Sequence, residues 1–217
     1  MVGRLTMEIA VGAVLVVLWY VWFRRQNCRK SIHVLQRIKS AFAGHAQILG
    51  VRWSGGSRFS VRLRVLSTLF QQAAVLVELH PREVPLNWLW ARLRRRQETL
   101  TFEADLECPP AFNLEVHNHR WCGRTRKVPR DHRQMAVEHC GPFILTTRND
   151  WQREITSMMT ALVASRDCSF LTVSFRRTSP HFSATVPLDS LSPQSPYEAE
   201  IFEVLRELAA CASASRF

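Results

Sequence analysis

Ile9 to Phe23 is an unbroken uncharged run of 15 residues, IAVGAVLVVLWYVWF. A segment this apolar must leave water, either into a protein core or into lipid. A bilayer core takes about 20 residues at 1.5 Å each. Adding Leu5, Thr6 and Met7 extends the segment to Leu5–Phe23, with Glu8 near the end, where it can reach headgroups or be protonated. Ile9, Val14 and Leu18 would face acyl chains. Trp19, Tyr20, Trp22 and Phe23 cluster at one end, as an interfacial aromatic belt does. Arg24, Arg25, Arg29 and Lys30 follow at once. The pattern predicts a transmembrane helix within an anchor spanning 1–30. A cleaved signal peptide and a buried core helix are the rival readings. The run ends in bulky aromatics and arginines, and no small-x-small cleavage site follows it.

Orientation follows from the flanks. Arg4 and the α-amino group precede the run, whereas six Lys or Arg follow it by Lys39. The positive-inside rule puts the C-terminal domain in the cytoplasm and the N-terminus outside, a single-pass signal-anchor arrangement.

About 185 residues follow the anchor, enough for one domain with a core. The net charge of +11 is uneven: Arg24 to Arg133 holds 21 Lys or Arg against 8 Asp or Glu, while Gln134 to Phe217 holds 7 against 9. A polyanion would therefore meet the first half. Anionic lipid and nucleic acid both qualify, and a solvated basic surface needs neither. The six cysteines are scattered, with no compact disulfide spacing, which suits the cytoplasm.

Ser31 to Ala43 reads as a juxtamembrane amphipathic helix within 31–46, with Ile32, Leu35, Ile38 and Phe42 on one stripe. It would lie on the bilayer or pack on the domain. Residues 47–217 form the basic domain. Gln47–Trp53 and Arg58–Leu66 make a hairpin about Ser54-Gly55-Gly56-Ser57. In the second strand Phe59, Val61, Leu63 and Val65 alternate with Arg58, Ser60, Arg62 and Arg64, giving one apolar and one cationic face. Ala74–His80 is a strand. His80-Pro81-Arg82-Glu83 reads as a turn, although it also holds an acid/base pair. Pro85 opens a helix to about Arg96, with Leu86, Leu89, Trp90 and Leu93 on one face and four arginines near its end. The expected use of that face is packing on the sheet; a membrane surface is the other option.

Thr99–Glu107 and Phe112–His117 are further strands, and His117 to Cys140 reads as a long polar loop. Phe143–Thr147 is a strand. A helix follows, capped by Asn149 or Asp150, with Trp151, Ile155, Met158, Met159, Leu162 and Val163 on its core stripe. Strands Phe170–Phe175 and Phe182–Leu188, a Ser/Pro linker at Ser190–Pro196 and a last helix with Ile201, Leu205 and Leu208 inward complete the chain. The order strand, helix, strand, strand occurs twice, over 74–117 and 143–188. Pro110-Ala111-Phe112 with Val116 matches Pro180-His181-Phe182 with Val186. The expected architecture is α+β: an N-terminal transmembrane helix, then a mostly antiparallel sheet with helices on one face, built from two β-α-β-β repeats.

The polar loop concentrates the chemistry. His117, His119, Cys122, His132, His139 and Cys140 are donors that zinc accepts, but none of the paired spacings of a zinc finger is present, so no cofactor is expected. Arg120, Arg124, Arg126 and Lys127 surround Trp121 and, with Arg24 and Arg25, are the candidate residues for an anionic surface. No G-x-S-x-G, P-loop, H-E-x-x-H or dinucleotide fingerprint occurs. These features favour a non-enzymatic module that binds or scaffolds at a membrane, with anionic lipids and an unidentified protein as partners. A tethered nucleic-acid binder and a metal-binding protein are the alternatives.

Overall fold

The computed structural model describes residues 2–94, 96–110, 112–118, 135–140, 143–148, 170–191 and 201–214. The expected helix after Asn149, the Ser/Pro linker and most of the polar loop fall outside these residues. Helix α1 (Val2–Ala41) is continuous through 40 residues. Strands β1 (Ala46–Trp53), β2 (Arg58–Val65) and β3 (Phe70–Glu78) follow, then helix α2 (Pro85–Leu93) and β4 (Thr99–Leu106). Next come β5 (Leu114–Asn118), β6 (Met135–Cys140), β7 (Phe143–Arg148), β8 (Thr172–Phe175) and β9 (Phe182–Pro187), a 3-10 turn at Leu188–Leu191, and helix α3 (Ile201–Ala214).

The nine strands make one sheet in the order β1-β2-β3-β4-β9-β8-β5-β7-β6, and every pairing is antiparallel. The protein is α+β. Its period-2 strands put Phe59, Val61 and Leu63 of β2, Val75 and Val77 of β3, Leu100 and Phe102 of β4, and Phe182 and Val186 of β9 on one buried face. The C-terminal half of α1 and helix α3 cover that face. Phe42, just past the end of α1, stacks on Phe102 at 5.9 Å and meets Phe202 of α3 edge-on at 5.6 Å. The opposite face carries Arg62, Glu103, Thr101 and Thr185, and at its end Arg58 and Glu78 share a cleft with Asn87, Trp90 and Ala91 of α2.

The strands of the two stretches expected as repeats interleave in this sheet. Strand β9 of the second lies between β4 and β8, and β5 of the first lies between β8 and β7. Phe112 and Val116, like Phe182 and Val186, are buried.

Three local expectations change. The segment read as a separate juxtamembrane helix is continuous with α1, and of its two expected placements it takes the one on the domain, with a shifted stripe. Its buried stripe is Asn27, Ser31, Val34, Ile38, Ala41 and Phe42, and Ile32 is 55% exposed. The last part of the expected loop is β6, which pairs with β7. Finally, α2 does not pack its apolar face on the sheet: of its residues only Ala91 is buried.

Candidate membrane-facing surface

Among the described residues, one helix, Thr6–Ala41 within α1, is long and apolar enough to cross a membrane, and none of its most apolar window is buried. Val14, Leu18, Tyr20 and Trp22 are exposed, as are the flanking Arg24 and Arg25. Most of this half is exposed in the described protein, and in a bilayer it is the part that lipid would cover. Burial begins just past the apolar run. Asn27 is buried and donates Nδ2 to the His80 carbonyl at 3.4 Å. One turn on, buried Ser31 donates Oγ to the Asn27 carbonyl at 2.8 Å. Both polar side chains are satisfied, so the helix enters the domain without a linker.

A carboxylate fixes this junction. The Glu98 side chain, only 9% exposed, pairs with Lys30 of α1. It accepts the His80 backbone N–H at 3.3 Å and lies 3.6 Å from the Arg82 guanidinium. One acid from the α2–β4 connection thus clamps α1 to the β3–α2 turn. His80 Nδ1 lies 3.8 Å from the same carboxylate. Burial lowers the His80 pKa from its ordinary value, with Arg82 and Lys30 adding to the effect and Glu98 opposing it. Lys30 serves this clamp and is not free for lipid. Arg24, Arg25 and Arg29 remain exposed beside the apolar run.

The same turn touches the apolar half of α1. Trp19 Nε1 donates to the Arg82 carbonyl at 3.1 Å. The Trp19 ring meets Trp88 of α2 edge-on at 6.1 Å and Phe23 at 4.5 Å. Cations sit over several of the nearby rings: Arg24 over Tyr20 at 5.9 Å, Arg92 over Trp88 at 5.5 Å and Arg94 over Trp90 at 4.3 Å. The aromatic cluster read from the sequence on α1 alone therefore also includes Trp88 of α2. The hairpin tip reaches the same end of the sheet, where Leu79 N–H donates to the Ser57 carbonyl at 2.7 Å. Gly55 there has φ +113°, which favours glycine, and a Cβ on Gly56 would collide with the Glu83 carboxylate.

On the face opposite α1 and α3, Arg62, Arg64, Gln72, Glu103 and Asp105 line a shallow groove of about 590 Å³. Burial raises the Glu103 pKa, with Asp105 adding to the rise and Arg176 opposing it. Leu106 N–H donates to His181 Nδ1 at 3.2 Å. That nitrogen therefore cannot donate to Asp105 Oδ1, 3.7 Å away, which is left without a hydrogen-bond partner.

The other candidates from the sequence are dispersed or undescribed. Arg120, Arg124, Arg126, Lys127, His119, Cys122 and His132 lie outside the described residues. His139 and Cys140 fall within β6. His117 of β5 bonds Thr172 Oγ1 at 3.2 Å and lies 3.3 Å from the Glu115 carboxylate. Among the described residues no three of His, Cys, Asp and Glu come together as a metal site. Cys28 and Cys108 are exposed free thiols.

No family model matches the chain, and no curated protein is similar to it in sequence. Among solved structures it is similar to the crystal structure of the mycobacterial trehalose monomycolate transport factor A, TtfA. The match covers 82% of this chain and 93% of that one, at 12% identity and a TM-score of 0.46. A likeness that slight says nothing of what this chain does. The class of protein is set by the residues themselves: an α+β domain docked directly on the end of a long apolar helix.

Proposed function

We propose that the protein is a single-pass, membrane-anchored module with its domain in the cytoplasm, and that it binds or scaffolds at the membrane surface without catalysing a reaction. One observation carries the reading. Helix α1 passes unbroken from an exposed apolar half into a half buried against the sheet, and the Glu98 clamp closes on the turn between them. The domain is thereby held at a fixed height against the bilayer instead of trailing on a flexible linker. Exposed Arg24, Arg25 and Arg29 support anionic headgroups as its lipid partners and support a cytoplasmic domain. Arg120, Arg124, Arg126 and Lys127 extend the same charge along the sequence.

The test uses the full chain reconstituted in phosphatidylcholine vesicles that also contain phosphatidylserine. Energy transfer from the tryptophans to a dansyl group is measured with the dansyl on one lipid or the other. Transfer to labelled phosphatidylserine should exceed transfer to labelled phosphatidylcholine. The excess should shrink with added salt and when Arg24, Arg25, Arg120, Arg124, Arg126 and Lys127 are changed to Gln. Equal transfer to the two labels would overturn the anionic-surface reading.

A further inference from the structure

We infer that α2 is a second membrane contact, a short helix lying in the plane of the lipid interface beside the spanning helix. The inference rests on the reading that α1 crosses the bilayer. Its starting point is an inversion. At 100° per residue, Leu86, Leu89, Trp90 and Leu93 fall within an arc of about 100° on α2. In a soluble domain that stripe would face the core. Here it faces out, with exposures of 77%, 49%, 56% and 70%. The helix meets the protein through Ala91, which is buried, and through Trp88, which meets Trp19.

The position of α2 identifies what covers the stripe. Trp19 lies four residues before Phe23, the end of the apolar run. At 1.5 Å per residue, α2 touches α1 about 6 Å inside that end, within the roughly 5–10 Å depth to which interfacial helices sink. A protein partner on this stripe would have to occupy the same depth of bilayer. The cations agree. Arg92 and Arg94 lie over Trp88 and Trp90, pairing charge with aromatic surface as interfacial helices do. The occupant of this surface is therefore the acyl–headgroup boundary of the bilayer that α1 crosses. Two contacts, one vertical and one in the plane, would fix the rotation of the domain about the α1 axis as well as its height.

The experiment places the photocrosslinker p-benzoylphenylalanine, one site at a time, in the full chain reconstituted in vesicles. The sites are Leu89 on the stripe, Val14 in the apolar run, and Leu66, an exposed leucine just past the end of β2 away from α2. Lipid adducts are read by mass spectrometry. Leu89 should form adducts at a yield close to that of Val14 and several-fold above that of Leu66. Adducts at Val14 with Leu89 no better than Leu66 would overturn the role of α2 and leave the spanning helix standing. Crosslinks from Leu89 to protein in place of lipid would also overturn it, by showing a second copy or a partner on the stripe. No lipid adduct at Val14 would overturn the spanning reading and this inference together.

Discussion

Glu98 shows how much one side chain decides in this protein. Three segments distant in sequence, represented by Lys30, His80 with Arg82, and Glu98 itself, meet at one carboxylate. A carboxylate so far removed from water is tolerated because cations and a backbone donor replace its hydration. Nothing in the sequence marked Glu98. The pair visible there was His80 with Glu83, three residues apart, and His80 instead faces an acid eighteen residues on. Ion pairs between distant segments have no periodicity to betray them. His80 carries a prediction. Its pKa is lowered from 6.5 by burial, so the unfolded chain binds a proton that the folded chain refuses. The stability this group contributes is full above pH 6.5 and falls as pH drops through the lowered folded pKa. Thermal unfolding of the full chain in detergent micelles, followed across that range, should show a smaller loss on acidification for His80→Gln than for the unmodified protein. Parallel profiles would contradict the assignment.

Elements were legible where one face repeats with a clean period. Strand β2 matches its alternation residue for residue: Phe59, Val61 and Leu63 are inward and Arg58, Arg62 and Arg64 outward. The start of β3 was missed because the register shifts between Phe70 and Gln72 and breaks the alternation there. Strand β6 was hidden in a polar stretch, and only its pairing with β7 reveals it. The two helical errors share a cause: periodicity identifies an apolar face but not what that face meets. In α2 the stripe was right and its direction wrong. At the end of α1 the helix was right and its stripe displaced, from Ile32 onto Val34, because both flank the true contact line. Ile38, fully buried, and Ile32, half exposed, therefore separate the two readings. Ile38→Ala should cost about 2–5 kcal/mol through the cavity it leaves. Ile32→Ala should stay within about 0.5 kcal/mol. Denaturant unfolding of the full chain in micelles measures both, and equal costs would place the wrong stripe against the sheet.

At the scale of the whole molecule, the sequence announced the apolar helix, the basic junction and the α+β class, each of which is written locally. The strand order was not announced. Nothing near Phe182 says that β9 lies between β4 and β8, because that order is set by which apolar faces close one core. The aromatic cluster was half legible for the same reason: Trp19 and Tyr20 are neighbours in sequence, whereas Trp88 joins Trp19 only in the fold. The function proposed for these features is that of a domain meeting the bilayer as a rigid extension of its anchor, on the cytoplasmic side. Reactivity toward a membrane-impermeant maleimide in cells expressing the full chain tests this most directly. The unmodified chain, with exposed Cys28 and Cys108, should react only after the membrane is permeabilised, whereas Arg4→Cys should add one site that reacts in sealed cells. Reaction of the unmodified chain in sealed cells, or an Arg4→Cys thiol silent until permeabilisation, would contradict a helix that crosses the membrane in this direction.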